Sequence, residues 1–125
     1  MARILIVEDD AAQRFLIEMM LRRVHYDVAC AANGDEALRI LTVDSDFDAI
    51  LSDLQMPGMD GGDFLGALAE HYPHLPVIVM TVHAGSEWAD DALQHGAAAC
   101  LPKPFFTPDL FNTLDAVLHG NRYLC

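Results

Sequence analysis

Positive charge is scarce in this sequence: seven Lys and Arg stand against 19 Asp and Glu, giving a formal net charge of −12. Such a chain repels a polyanion, and no Lys/Arg stripe interrupts the negative field, so nucleic acid is excluded as a direct ligand. Cysteine is also sparse. Cys30, Cys100 and Cys125 are odd in number and widely spaced, without a CxxC or a His/Cys cluster. Neither a zinc site nor a disulfide framework is expected, and a reducing cytoplasm is the simple setting. Long apolar runs are missing too. The stretch from Phe15 to Leu21 is short and interrupted by Glu18, so no segment is expected to enter a membrane. The first residues run straight into an apolar strand, so no signal peptide is expected. Linkers, low-complexity tracts and internal repeats are absent as well. What remains is a chain of 125 residues, 53% hydrophobic and 21% charged, a globular composition and a length suited to one domain.

Five short apolar runs punctuate it: Arg3–Val7, Tyr26–Cys30, Asp48–Ser52, Pro76–Thr81 and Ala97–Leu101. Ile4-Leu5-Ile6-Val7 and Val77-Ile78-Val79-Met80 are continuous rather than alternating, as in parallel strands covered on both faces. Helical spacing fills the intervals. In the first, Ala12, Phe15, Leu16, Met19 and Met20 form the expected inward face, with Gln13, Arg14, Glu18 and Arg22 largely elsewhere. Asn33 followed by Glu36 is a start signal for a second helix carrying Ala37, Leu38 and Leu41 inward. A third is predicted from Gly62 to about Tyr72, stopped by Pro73. Ser86 caps a fourth that ends near Gly96. Thr107-Pro108 opens a fifth, with Leu110, Phe111, Leu114, Val117 and Leu118 inward. Five strand–helix units of roughly 21 to 28 residues predict an α/β doubly wound (βα)5 fold, whose ligands sit outside the carboxyl ends of the strands.

Those ends carry an unusual set of side chains. Glu8, Asp9 and Asp10 follow the first strand, Ser52 and Asp53 end the third, Thr81 ends the fourth, and the fifth leads into Lys103. Two carboxylates about 4 Å apart repel by roughly 4 kcal/mol at an effective dielectric near 20. A raised pKa or a bound hard cation relieves that repulsion. Mg²⁺ suits the second route, because it takes oxygen ligands, keeps several waters and commonly bridges carboxylates to a phosphate. An acidic run after a strand also serves simply to start a helix, and Asp10 is read as that cap. Asp53 has no such explanation, since no helix obviously begins there.

In Ile4-Leu-Ile-Val-Glu-Asp-Asp10, Leu51-Ser-Asp-Leu-Gln-Met-Pro-Gly-Met-Asp-Gly61, Val77-Ile-Val-Met-Thr81 and Leu101-Pro-Lys-Pro-Phe105, the sequence resembles the receiver domains of two-component response regulators. The resemblance runs from about residue 3 to 119 and treats residues 1–125 as one receiver domain. It implies a flavodoxin-like five-stranded parallel sheet in the order 2-1-3-4-5. It makes Asp53 the phosphoacceptor, with Glu8, Asp9, Asp53 and the backbone carbonyl of Gln55 as ligands of Mg²⁺, or of Mn²⁺ as a substitute. Thr81 and Lys103 would bind phosphoryl oxygens, across a Lys103–Pro104 bond that is often cis in this family. The implied donor is a sensor histidine kinase or a histidine phosphotransfer protein. The implied output is a change in the surface of the fourth helix, fifth strand and fifth helix, which here includes Trp88, Asp90, Asp91, Cys100 and Asp109. That surface would control a downstream protein, and a phosphorylation-linked dimer through it is a further expectation. The implied chemistry is one half-reaction with slow self-dephosphorylation rather than enzymatic turnover.

Two positions depart from the family pattern. Cys100 stands where receivers carry Tyr, Phe or His, so no ring can swing inward, and Val82 stands where a smaller residue is commoner. Slower phosphorylation or a muted surface change is expected. Gln55 and His83 occupy positions that tune dephosphorylation in relatives. Phe105, Phe106 and Phe111 are read as core and helix packing, and His25, His71, His74, His95 and His119 as surface residues. A haloacid-dehalogenase-type phosphatase would need a second Asp where Gln55 stands, and an FMN carrier would need a Ser/Thr/Gly-rich first loop instead of Glu8-Asp9-Asp10. A phosphorylation-independent adaptor with the same fold is the alternative. No DNA-binding or enzymatic output domain is expected within the chain, which is either a single-domain regulator or part of a longer one.

Overall fold

A computed structural model describes residues 2–53, 61–81 and 96–120. Strands β1 (Arg3–Val7), β2 (Asp27–Ala31), β3 (Ala49–Asp53), β4 (Val77–Thr81) and β5 (Ala99–Pro102) form one parallel sheet in the order β2-β1-β3-β4-β5. The expected topology is therefore found, with the second to fifth runs beginning one or two residues later than predicted. Among the described residues four helices cover the sheet: α1 (Ala11–Arg23), α2 (Gly34–Val43), α3 (Gly61–His71) and α4 (Thr107–Leu118), the last being the predicted fifth. The predicted fourth helix, with Trp88, Asp90 and Asp91, lies outside the described residues, as does His95.

Alternation along the strands builds two cores. Leu5, Val7, Ile50, Val77, Val79 and Cys100 face α2 and α3. Ile4, Ile6, Ala49, Leu51, Ile78, Met80 and Leu101 face α1 and α4. Burial on both faces explains why these strands read as continuous apolar runs.

The helix starts follow their caps. Asp10 accepts from the backbone N–H groups of Ala12 (2.9 Å) and Gln13 (3.0 Å), which fixes where α1 begins. Asn33 accepts from Glu36 N–H at 2.8 Å, while the Glu36 carboxylate reaches back to Ala32 N–H at 3.4 Å. Asp109 accepts from Phe106 N–H at 2.9 Å and Pro108 sits in the first turn of α4.

Three expectations need correction. The apolar stripe predicted to turn α1 inward faces largely outward: Phe15 is 62% exposed, Leu16 55% and Met19 44%, whereas Ile17 and Leu21 are buried. Both sides of this helix are apolar, and the sheet takes the face carrying the β-branched Ile17 and the fully buried Leu21. Phe106 caps α4 from outside and is exposed, not packed. Cys100 is fully buried and disulfide-bonded, because a disulfide depends on approach in space and not on sequence spacing. Cys30 is a free thiol. His25, His71, His74 and His119 are exposed, as expected.

Candidate phosphoryl-transfer site at the sheet edge

Parallel pairing carries the predicted side chains to one edge. Val7 is registered with Ser52, Asp53 with Met80 and Thr81 with Pro102, so residues just beyond these pairs meet above the strand ends. Glu8 is fully buried; its N–H donates to the Ala31 carbonyl at 3.1 Å, and its own carbonyl accepts from the Arg14 guanidinium at 2.6 Å. Asp9 beside it is exposed and Asp53 half-buried. One carboxylate oxygen from each of Glu8, Asp9 and Asp53 lies within 4.8 Å of the others.

Lys103 closes the cluster from the far side of the sheet. Its backbone N–H donates to the Thr81 carbonyl at 2.8 Å, extending the β4–β5 ladder, and the Lys103–Pro104 peptide is cis. The ammonium then donates to Glu8 Oε1 at 2.8 Å, Gln13 Oε1 at 2.8 Å and Asp53 Oδ2 at 3.2 Å. Burial pushes the Glu8 carboxyl up to about 7, and the adjoining Asp53 carboxylate adds to this, with Lys103 acting in the opposite direction. Burial opposes the charge on Lys103, yet the two carboxylates outweigh it and its pKa is raised. Thr81 is buried at the end of β4, next to the strand that carries Asp53.

The donor set fits a hard cation. All three candidate side-chain ligands are oxygens, and the second Glu8 oxygen, Oε2, is buried without a hydrogen-bond partner. An orphaned buried carboxylate oxygen is costly, and a hydrated Mg²⁺ would satisfy it. Glu8, Asp9 and Asp53 would hold such an ion through these oxygens.

Glu8, Asp9, Asp53 and Lys103 are thus brought together, with Thr81 at the end of the neighbouring strand. Gln55, Val82 and His83 lie outside the described residues. Two contributors escaped sequence reasoning. Gln13 reads only as part of a polar helix face, and Arg14 likewise. Nothing in local spacing signals a contact between residues 13 and 103, or a guanidinium turned back onto the Glu8 carbonyl. Beside Lys103 a cavity of about 360 Å³ opens along α1, lined by Gln13, Leu16, Ile17, Met20, Pro104 and Phe105.

Comparison with known proteins agrees with this geometry. The response regulator receiver domain profile matches residues 4–115. The response regulator protein FleR of Pseudomonas aeruginosa is 38% identical over 104 residues, which are 83% of this chain and 22% of FleR. The two-component response regulator ARR14 of Arabidopsis thaliana is 40% identical over 111 residues, 88% of this chain and 29% of its own length. The chain therefore spans only about a fifth to three-tenths of these curated relatives. Among solved structures, the chemotaxis response regulator CheY4 of Vibrio cholerae superposes with a TM-score of 0.87 at 34% identity, covering 94% of this chain and 98% of that one. A receiver domain protein from Clostridium thermocellum gives 0.90 at 29% identity, with 96% of both chains covered. With its β2-β1-β3-β4-β5 sheet and the acids gathered at that sheet's edge, the chain belongs to the response regulator receiver domain family.

Proposed function

We propose that residues 3–119 act as one phosphorylation-dependent switch, in which Asp53 accepts a phosphoryl group from a histidine kinase or histidine phosphotransfer protein. The observation that carries this reading is the convergence of Glu8, Asp9 and Asp53 on a point that the Lys103 ammonium also reaches. Phosphoryl transfer needs positioning and charge neutralisation more than covalent help. Glu8, Asp9, an Asp53 oxygen and the Gln55 carbonyl would hold Mg²⁺, or Mn²⁺ in its place. Bound there, the cation offsets the negative charge of the incoming phosphoryl group.

The chain's own groups do the rest. An Asp53 carboxylate oxygen forms the new bond to phosphorus as the P–N bond to the donor imidazole breaks, and the imidazole keeps that electron pair. Lys103 neutralises one phosphoryl oxygen and Thr81 donates its hydroxyl to another. Water later attacks phosphorus, releasing inorganic phosphate and restoring the carboxylate; Gln55 and His83 tune this step by controlling water's approach. The phosphoryl group adds about −1.5 to −2 charge, which biases Thr81 and Lys103 toward it and repositions the surface around β5 and α4. That surface controls a downstream protein or pairs with a second copy. The setting is cytoplasmic, where nucleotide-dependent kinases work.

The donor's approach is also constrained. Exposed Phe15, Leu16 and Met19 form an apolar strip on α1, and the cavity at its edge ends on Lys103. The strip lies on the helix whose Gln13 meets Lys103, and we assign it to the protein that brings a phosphohistidine to Asp53.

Incubation with Mg²⁺ and acetyl phosphate followed by intact mass measurement tests the switch. One added phosphoryl group is expected, lost in Asp53→Asn and on metal chelation. The adaptor reading draws on one observation, the fully buried and disulfide-bonded Cys100 at the position where a ring would swing. Partner binding that is unchanged by phosphorylation would favour it.

A further inference from the structure

We infer that Gln13 is a positioning residue for Lys103, tethering its ammonium to α1 while the acids of the site change partners. This rests on the receiver reading above. An ammonium has three protons, and among the described residues the acceptors around Lys103 are Glu8 Oε1, Gln13 Oε1 and Asp53 Oδ2. Two of these are committed elsewhere in the proposed reaction. Asp53 Oδ2 would compete with the new phosphoryl oxygens, and Glu8 would be shared with the cation it helps to hold. Gln13 alone is uncharged, holds no metal and takes no part in bond making. Its 2.8 Å bond is as short as the one to Glu8.

The placement of Gln13 is itself fixed. Its backbone N–H donates to the Asp10 cap at 3.0 Å, so the first turn of α1 is locked before the side chain reaches across. A long, flexible lysine loses rotamer freedom when it is held, and a neutral acceptor anchored on a capped helix meets that cost before the phosphoryl group arrives. The Gln13→Glu substitution would instead add a third carboxylate competing with the phosphoryl group for the same ammonium. The tether also joins the site to the helix that bears the exposed apolar strip, so a donor seated on α1 bears on the element that positions Lys103.

The test is a double-mutant cycle between Gln13→Met and Lys103→Met, with Gln13→Glu as a third variant. Methionine keeps the length of the side chain and removes the acceptor. Phosphorylation by acetyl phosphate in Mg²⁺ is expected to slow about 3- to 10-fold in Gln13→Met, and further in Gln13→Glu, with the thermal midpoint and Mg²⁺ affinity of Gln13→Met unchanged. In the Lys103→Met background the Gln13→Met change is expected to have no further effect. In ¹⁵N spectra of the unphosphorylated protein, the Lys103 ammonium signal is expected to lose its protection from exchange in Gln13→Met. Equal rates for wild type and Gln13→Met, or an equal loss in both backgrounds, overturn the proposal alone. A wild-type protein that takes up no phosphoryl group removes the receiver reading and this inference with it.

Discussion

Helices α1 and α4 lie on the same face of the sheet and share one core, yet they distribute their apolar residues differently. In α4 the predicted stripe is the buried one: Leu110, Leu114 and Val117 face the sheet, with Phe111 and Leu118 half-buried. In α1 two residues, Ile17 and Leu21, carry the packing, while Phe15, Leu16 and Met19 are left to solvent. A helix that commits its apolar residues to the core needs no further explanation. One that also displays three large apolar side chains beside a charged site has a second surface to account for.

The largest expected effect separates the two faces of α1 itself. Leu21→Ala should cost about 2–5 kcal/mol of stability, as should Leu114→Ala in α4, whereas Leu16→Ala should stay within about 0.5 kcal/mol. Urea unfolding measures all three; a comparable loss in Leu16→Ala would erase the distinction between packed and displayed stripes. The second effect is on transfer. Phe15→Ser combined with Met19→Ser should slow phosphorylation by a protein phosphodonor roughly tenfold, the equivalent of about 1.4 kcal/mol of docking energy, and leave the acetyl phosphate rate unchanged. If both rates fall together, the strip supports the site and not the donor.

A third prediction concerns Glu8, at the foot of α1. Its pKa is raised to about 7, burial being the first cause, so the folded protein holds a proton that the unfolded chain releases near 4.5. Its contribution to stability is therefore full below about 4.5 and is lost as pH rises through about 7. In chelator, Glu8→Gln should gain thermal stability relative to wild type between about pH 5 and pH 8, and a difference that does not change with pH would refute this. The smallest effect is at Cys30, whose thiol donates to Glu18 of α1 at 3.2 Å. Burial, then Glu18, pushes this thiol up to about 11, so the peptide containing Cys30 should alkylate several-fold more slowly at about pH 8 than an exposed thiol. Glu18→Ala should recover part of the rate.

The same two helices mark how far the sequence could be read. The doubly wound parallel sheet, the α4 face and the Asp10 and Asn33 caps follow from local rules: continuous apolar runs, right-handed crossovers and side-chain acceptors at helix starts; the strand order came with the family resemblance. Asp53, Glu8, Asp9, Thr81 and Lys103 were legible because each lies at or just beyond a strand end, and a parallel sheet brings strand ends together. The face of α1 was not, because apolar residues on both sides give periodicity nothing to decide between. Gln13 and Arg14 were not, because their partners are set by side-chain reach across the edge. The disulfide at Cys100 was not, because pairing follows folded distance.

Lys103 follows the border strand β5, and its ammonium meets the Glu8 side chain, which follows β1, along a line past the ends of β4 and β3. Every strand from β1 to β5 along that line must be in register for the amine to arrive. A half-assembled or slipped sheet therefore lacks the gathered acids and amine, and the site exists only in molecules that have finished folding.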